Sequence, residues 1–393
     1  MLPRQRPTPT STLSHNPAVP RPLNVILDVT TRCNLKCVMC YFANADRLYF
    51  PPFDRQLSDD GNMPLDVFER IAADLFPRAW RVALACAAEP MIHPRFREIV
   101  AIAGRYGVPD LWFPTNLLAM TDATGKALID ARVATVAASI DGMTKETYEK
   151  IRVPAKWDRL LAALETLRKV RRDARSRTPR LRIIFTWMQS NREDLARLPQ
   201  FAQEQGASDI DVRFVSPTPG VDVTGELLSG EDTEVLNAEL ASAARDAVGR
   251  GLKIASYPEF EPRDPGDRTL MEKVRRRVWR WKAGLDRPEY LRYAWYQGLF
   301  GCAYPDRNYV VRPNGAVNPC IYWEGDPIGF YPADTIETIE KGAPLKAIRD
   351  GLRSGNPVGT CATCGERRTA LYRLRGEPPP ETRRAARLPT HPR

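Results

Sequence analysis

Apolar residues fall into short runs and helix-period stripes that alternate along the first 216 residues. Asn24 to Thr30 (NVILDVT) is β-branched and apolar, as suits a strand buried on both faces. Leu65, Phe68, Ile71, Ala72 and Leu75 then recur at helical spacing up to Pro77, which predicts a helix. The same reading predicts strands over 81–85, 110–114, 134–140, 181–187 and 210–215, with helices over 97–106, 126–131, 157–170 and 194–205 between them. Strand–helix alternation of this kind builds a parallel sheet that binds ligands at the carboxyl ends of its strands. The expected fold class is α/β, with six units making an open, partial (β/α)6 TIM barrel.

The pattern changes after residue 216. Pro217 to Gly230 reads as a boundary, 233–248 as a helix and 252–256 as a further strand. Tyr309 to Cys320 reads as a hairpin with Asn314-Gly315 at its turn. The expected organisation is a disordered tail over 1–22, a core over 23–220, a helical and basic link over 221–300, a small hairpin-plus-helix domain over 301–372, and a basic tail over 373–393.

Composition narrows the class without deciding it. Of 393 residues, 43% are apolar and 27% charged, which is ordinary for a globular chain. No apolar stretch approaches the roughly 18 residues of a membrane span, and the N-terminus lacks the apolar core of a secretory signal. A cytoplasmic protein is expected, with no membrane partner. The net charge of +10 comes from the two tails and from 271–292, where arginines and lysines interleave with Trp279, Trp281 and Tyr290. The remaining body is balanced, so a nucleic-acid partner is not expected.

The chemistry lies in the cysteines. Cys33, Cys37 and Cys40 fall within eight residues, just past the first predicted strand. So short a loop can aim three thiolates at one soft metal centre but lacks the fourth ligand of a closed tetrahedral site. A zinc knuckle borrowing a distant ligand is one account. The C-x3-C-x2-C spacing also resembles that of the radical S-adenosylmethionine (radical SAM) enzymes. There the three cysteines hold a [4Fe-4S] cluster whose fourth iron binds SAM.

Later segments extend the resemblance in order. Cys86-Ala-Ala-Glu89-Pro90 stands where that family has Gly-Gly-Glu-Pro, so Glu89 is expected on the SAM amino group, with both glycines replaced. Thr115-Asn116-Leu117 stands for the family's Thr-Asn-Gly. Ser139-Ile140-Asp141-Gly142 and the run through Arg152 resemble its fourth strand and following helix. The resemblance thus implies SAM contacts at Met39, Glu89, Asn116, Ser139 and Asp141, and makes Arg152 a candidate for the SAM carboxylate or the substrate.

Cys302, Cys320, Cys361 and Cys364 form a second set, in which a hairpin brings two thiols together and a C-x2-C pair closes the group. Zinc and [4Fe-4S] are both admissible on this chemistry. The spacing is similar to the SPASM/twitch extension of radical SAM enzymes. The absence of cysteines after Cys364 matches the shorter twitch form, as in the twitch-containing dehydrogenases of aminoglycoside biosynthesis. The resemblance implies an auxiliary [4Fe-4S] cluster that accepts an electron, a small-molecule or peptide substrate, and an electron donor such as flavodoxin or ferredoxin.

The expected reaction is dehydrogenation of a small molecule such as a sugar or cyclitol, in natural-product biosynthesis. Rival readings are redox-neutral epimerisation, peptide modification, and an iron–sulfur or zinc protein with no catalysis. The three histidines are His15, His93 and His391, none well placed as a base, so no catalytic residue is assigned. Cys86, outside both metal sets, is expected to be a buried, apolar-type cysteine.

Overall fold

The computed structural model describes residues 23–40, 60–215, 221–228, 233–256, 302 and 304–364. The two tails, segment 271–292, His15 and His391 lie outside the described residues. The core alternates β1 (Leu23–Leu27), α1 (Leu65–Leu75), β2 (Ala79–Ala83), α2 (Phe96–Gly104), β3 (Asp110–Thr115), α3 (Asp122–Asp130), β4 (Thr135–Ser139), α4 (Lys145–Ile151), α5 (Trp157–Asp173), β5 (Arg180–Trp187), α6 (Leu198–Glu204) and β6 (Asp209–Phe214). Neighbouring strands from β1 to β6 pair in parallel, so the chain has the expected α/β fold of partial TIM-barrel type.

The sheet continues past the expected six strands on both sides. After α7 (Thr233–Gly249), β7 (Lys253–Ser256) pairs parallel to β6. On the other side, α8 (Tyr304–Arg307) leads into β8 (Asn308–Val311), which pairs parallel to β1. The antiparallel strands β9 (Ala316–Asn318) and β10 (Gly329–Phe330) follow, giving the order β10-β9-β8-β1-β2-β3-β4-β5-β6-β7. The predicted hairpin therefore extends the core sheet. Its turn runs Arg312-Pro313-Asn314-Gly315, closed by the Gly315 N–H on the Arg312 carbonyl. Gly315 has φ of 82°, which the Asn-Gly signal foretold. Helices α9 (Ile336–Lys341), α10 (Ala343–Ser354) and α11 (Thr360–Thr363) close the described chain.

Burial explains the register. Val25, Leu27, Val82, Phe113, Val136, Ile183 and Phe185 are fully buried, and α1, α2, α3 and α5 pack side by side over the sheet. The helix expected over 194–205 is divided. A 3-10 stretch spans Gln189–Ala196 and a regular helix starts only at Leu198. Asn191 causes the break: its side chain accepts from Met188 N–H and donates to the carbonyls of Asp141 and Thr186. A residue tied to two strand ends cannot continue a helix.

The three glycine replacements noted in the sequence do not all behave alike. Ala87 and Ala88 are not among the positive-φ residues, so alanine fits there without strain. Leu117, by contrast, has φ of 69°, in the left-handed region that favours glycine. Its side chain is fully buried. Leu117→Gly is expected to lower stability by about 2–4 kcal/mol, because the lost side chain and cavity outweigh a backbone relief of about 1 kcal/mol. Urea denaturation of the metal-free protein would show a stabilised variant if backbone strain were the larger effect.

Candidate active site

The first cysteine loop leaves the carboxyl end of β1 and is pinned from several sides. Lys36 and Val38 donate backbone bonds to the carbonyls of Val153 and Ile151, and Glu89 N–H donates to Arg32. Asn116 Nδ2 donates to Asn34 Oδ1 at 2.7 Å. Cys33 is exposed, Cys40 half-buried and Cys37 buried, and the three thiols interact with one another. Burial pushes the Cys37 thiol up to about 11, against the lowering effect of Arg152, and raises Cys33 as well. Thiols so raised are protonated until a metal displaces the proton. Met39 is half-buried against the core beside them.

Glu89 is fully buried at the end of the β2 loop. Its Oε1 accepts from Thr115 Oγ1 at 2.6 Å and Met91 N–H at 3.1 Å, and its Oε2 accepts from Asn116 N–H at 2.6 Å. Burial raises its pKa, while these three donors and the Arg152 charge oppose that rise. Glu89 and Asn116 thus stand together under the cysteine loop. His93 has a structural place. Its Nδ1 accepts from Arg95 N–H, so Nε2 carries the proton donated to the Met63 carbonyl, and burial lowers its pKa.

Asp141 and Arg152 form a buried ion pair on the same side of the barrel. Arg152 Nε donates to Asp141 Oδ2 at 2.6 Å and Nη2 approaches the same oxygen, while Thr186 N–H donates to Oδ1 at 2.7 Å. Burial works against the guanidinium charge, but Asp141, Cys37 and Tyr148 outweigh it and hold the Arg152 pKa above its ordinary value. Both Asp141 oxygens are occupied by the chain itself, so Asp141 positions Arg152 beside the cysteine loop. The turn following it needs glycine, since a Cβ on Gly142 would meet the Tyr148 backbone nitrogen at 2.4 Å. Ser139 is half-buried at the end of β4 with no side-chain partner among the described residues.

Four residues that the sequence reading passed over also face this mouth. Asp28 and Arg312 are both about 2% exposed and bond at 2.9 Å across the β1–β8 junction. Asp28 Oδ1 also takes the N–H groups of Cys86 and Ala87. On β6, Arg213 bonds Asp211 Oδ2 at 2.7 Å. A signal for the first pair did exist: one aspartate inside an apolar strand and one arginine ending another, each too costly to bury alone.

Cys86 itself is exposed, not buried as expected, because β2 ends three residues earlier and the loop opens to solvent. Its thiol is still crowded enough for desolvation to push it up to about 11, reinforced by Asp28 and opposed by Arg312 and Arg213. That Arg213 on β6 acts on Cys86 beyond β2 shows the sheet curling. Flat strands spaced ~4.8 Å apart would hold those two about 19 Å apart.

Cys302, Cys320, Cys361 and Cys364 together line one cavity, with Tyr304, Tyr322 and Trp323. Burial pushes Cys302 up to about 11 and Cys320 up to about 12, each reinforced by the neighbouring thiols. The 320s loop is tied to α11 by the Glu324 N–H on Thr360 Oγ1 at 3.0 Å. Cys320 follows β9 and Cys302 precedes α8, so both lie at the amino end of β8, one strand length (about 15 Å) from the loop at the carboxyl end of β1. Among the described residues, no group of three or more His, Cys, Asp or Glu side chains is placed to hold a single metal ion. Both cysteine sets are nonetheless gathered, as suits a cluster gripped at its separate corners.

Comparison with known proteins agrees with this geometry. Residues 27–184, which hold the first cysteine loop, Glu89, Asn116, Ser139, Asp141 and Arg152, match the Radical SAM superfamily. The chain is 31% identical over 117 residues to the tungsten-containing aldehyde ferredoxin oxidoreductase cofactor-modifying protein of Pyrococcus furiosus, covering 29% of this chain and 30% of that protein. It is 26% identical over 198 residues to GTP 3',8-cyclase of Chlorobaculum tepidum, covering 50% and 53%. The chain thus spans about a third to a half of the length of the curated relatives it matches.

In fold, it is similar to Streptococcus suis SuiB bound to S-adenosylmethionine (TM-score 0.57, 16% identity, 88% of this chain and 71% of that one). It is also similar to anSMEcpe with bound AdoMet (TM-score 0.53, 14% identity, 84% of each chain). The match over residues 27–184 is to a radical SAM domain, and the likeness to these solved structures is one of fold. No helix among the described residues is long and apolar enough to cross a membrane.

Proposed function

We propose that the protein is a radical SAM oxidoreductase that dehydrogenates a small molecule, such as a sugar or cyclitol, with a second [4Fe-4S] cluster as electron acceptor. The observation that carries this reading is the gathering of all four later cysteines around one cavity, about one strand length from a three-cysteine loop that leaves one coordination position free. When bound, the two clusters and SAM would supply a 5′-deoxyadenosyl radical that takes a hydrogen atom from the substrate and a site that takes up the remaining electron, the second hydrogen leaving as a proton to water. Cys33, Cys37 and Cys40 would hold the first cluster, and Cys302, Cys320, Cys361 and Cys364 the second.

The chain's own part is placement and exclusion of water. Glu89, with Asn116 and Thr115, fixes the loop floor, and Asp141 holds the Arg152 guanidinium beside Cys33 and Cys37. Fully ligated by protein, the second site has no position left for substrate, which favours electron transfer over binding there.

Iron and sulfide per chain after anaerobic reconstitution test the reading. About eight irons in the wild type and about four in Cys361→Ala/Cys364→Ala are expected. Four irons in both, with zinc in the wild type, would remove the electron acceptor. One observation would then favour redox-neutral epimerisation: Cys86 is an exposed thiol at the mouth, kept protonated by its surroundings and so able to return a hydrogen atom.

A further inference from the structure

The amino end of the barrel carries a second concentration of charge. Arg168, Arg171, Arg172 and Arg175 recur at i, i+3, i+4 and i+7 along the end of α5 and just past it, so they share one face. With Arg177 they line an open pocket of about 330 Å³, whose wall is completed by Ser176 and by Gly206 in the α6–β6 turn. Ser176 shapes the rim: its Oγ donates to the Thr178 carbonyl at 2.6 Å and accepts from Thr178 N–H at 3.1 Å. The pocket is not part of the cysteine mouth. It stands before the first residues of β5 and β6, and the 8 residues of β5 separate it from the mouth by about 25 Å.

Its arginines are unequally served. Arg168 Nη1 donates to the Glu204 carbonyl at 2.9 Å, and its Nη2 pairs with Glu165. Arg172 comes no nearer than 3.9 Å to the carboxylates of Glu165 and Asp173. Arg171, Arg175 and Arg177 have no carboxylate partner among the described residues. Nε and Nη1 of Arg171 are moreover buried without a hydrogen-bond acceptor, and burial lowers the pKa of this side chain. Arg175 adds a backbone cost. It holds φ of 50° where the Ser176 N–H reaches back to the Arg171 carbonyl, a position that favours glycine. Helix polarity favours basic residues in a last turn. It does not account for like charges stacked on one face, nor for donors buried unpaired. An anion in the pocket answers both.

We infer that this pocket binds a diphosphate group, as the free ion or esterified in a small molecule. The charges of Arg171, Arg175 and Arg177 together exceed the roughly −2 that one phosphate carries, and a second, linked phosphoryl group supplies the rest. Guanidinium groups donate in pairs to phosphate oxygens, which gives the buried Arg171 nitrogens their acceptors. Among the described residues no aromatic side chain lines the pocket, so it offers no platform on which a nucleobase or a single strand would stack. SAM carries no phosphate, so the ligand is a second one.

Calorimetric titration of inorganic pyrophosphate into the anaerobically reconstituted full chain, in magnesium-free buffer, tests the inference. Saturable binding of about one pyrophosphate per chain is expected, weakened at least about tenfold in both Arg171→Met and Arg175→Gly, as loss of one charge-assisted hydrogen bond implies. Glycine suits the backbone at 175, so that variant keeps the test open if the Arg171 change disturbs folding. ADP, titrated in parallel, separates the two sources. Affinity equal to that of pyrophosphate or tighter means that an esterified diphosphate is accepted, and weaker binding means that the free ion is the ligand; either supports the site. Absence of saturable binding, or displacement of pyrophosphate by an equimolar single-stranded oligonucleotide, would overturn the inference. So would unchanged affinity in Arg175→Gly, which is also what pyrophosphate bound to cluster iron would give.

Discussion

Alanine in place of Cys37 is expected to abolish formation of 5′-deoxyadenosine from SAM and to lower reconstituted iron by about four per chain. The loop offers three thiols, and the carboxylates that act on them, Glu89 and Asp141, are already bonded to Thr115, Asn116, Met91, Arg152 and Thr186. Cys37 is the buried member of the three, and its neighbours Lys36 and Val38 carry the backbone bonds that dock the loop on residues 151–153. Those bonds remain in Cys37→Ala, so the polypeptide keeps its place while the third ligand is lost. Cys86→Ala is the matched comparison, since it too removes a thiol at the mouth but is expected to keep its full iron. Iron and sulfide analysis with chromatography of the SAM cleavage products checks both. Full iron in Cys37→Ala would mean that the first cluster is held by some other set.

The core was legible because its signals are local. In the run Val25–Val29, Val25, Leu27 and Val29 are buried and Ile26 is half-buried, and the stripe of α1 turned inward as its spacing required. The cysteine sets were legible because their spacing is itself the chemistry. What stayed hidden depends on residues far apart in sequence. That β8 would pair with β1, nearly 300 positions earlier, follows from no local pattern, and so the hairpin read as a separate unit. That the Asp141 carboxylate would bond Arg152 and the Thr186 N–H was not legible either, since the second partner is visible only once β5 lies beside β4. Cys86 was read as buried from residue type, whereas exposure was decided by where β2 stops. The arginines of 168–177 showed only a basic stretch, and the pocket they line with Gly206 forms only once β5 and β6 lie side by side.

Arg312→Met is expected to cost about 3–5 kcal/mol, the second large effect, because it strands the Asp28 carboxylate in a buried site. The two residues are 284 positions apart and join the first core strand to the cysteine-bearing hairpin. The Cys86 and Ala87 N–H groups still reach Asp28 Oδ1 in the variant, which keeps the loss within that range and does not cancel it. The same bonds couple the change to the mouth, since Asp28 holds the backbone that carries Cys86. Replacing both partners, as Asp28→Asn/Arg312→Met, removes the unpaired charge and is expected to recover at least about 1–2 kcal/mol of the single-variant loss. A urea double-mutant cycle on the metal-free protein measures that coupling. Additive losses would show that the ion pair does not bind hairpin to barrel, and the attachment would then rest on the β1–β8 ladder alone.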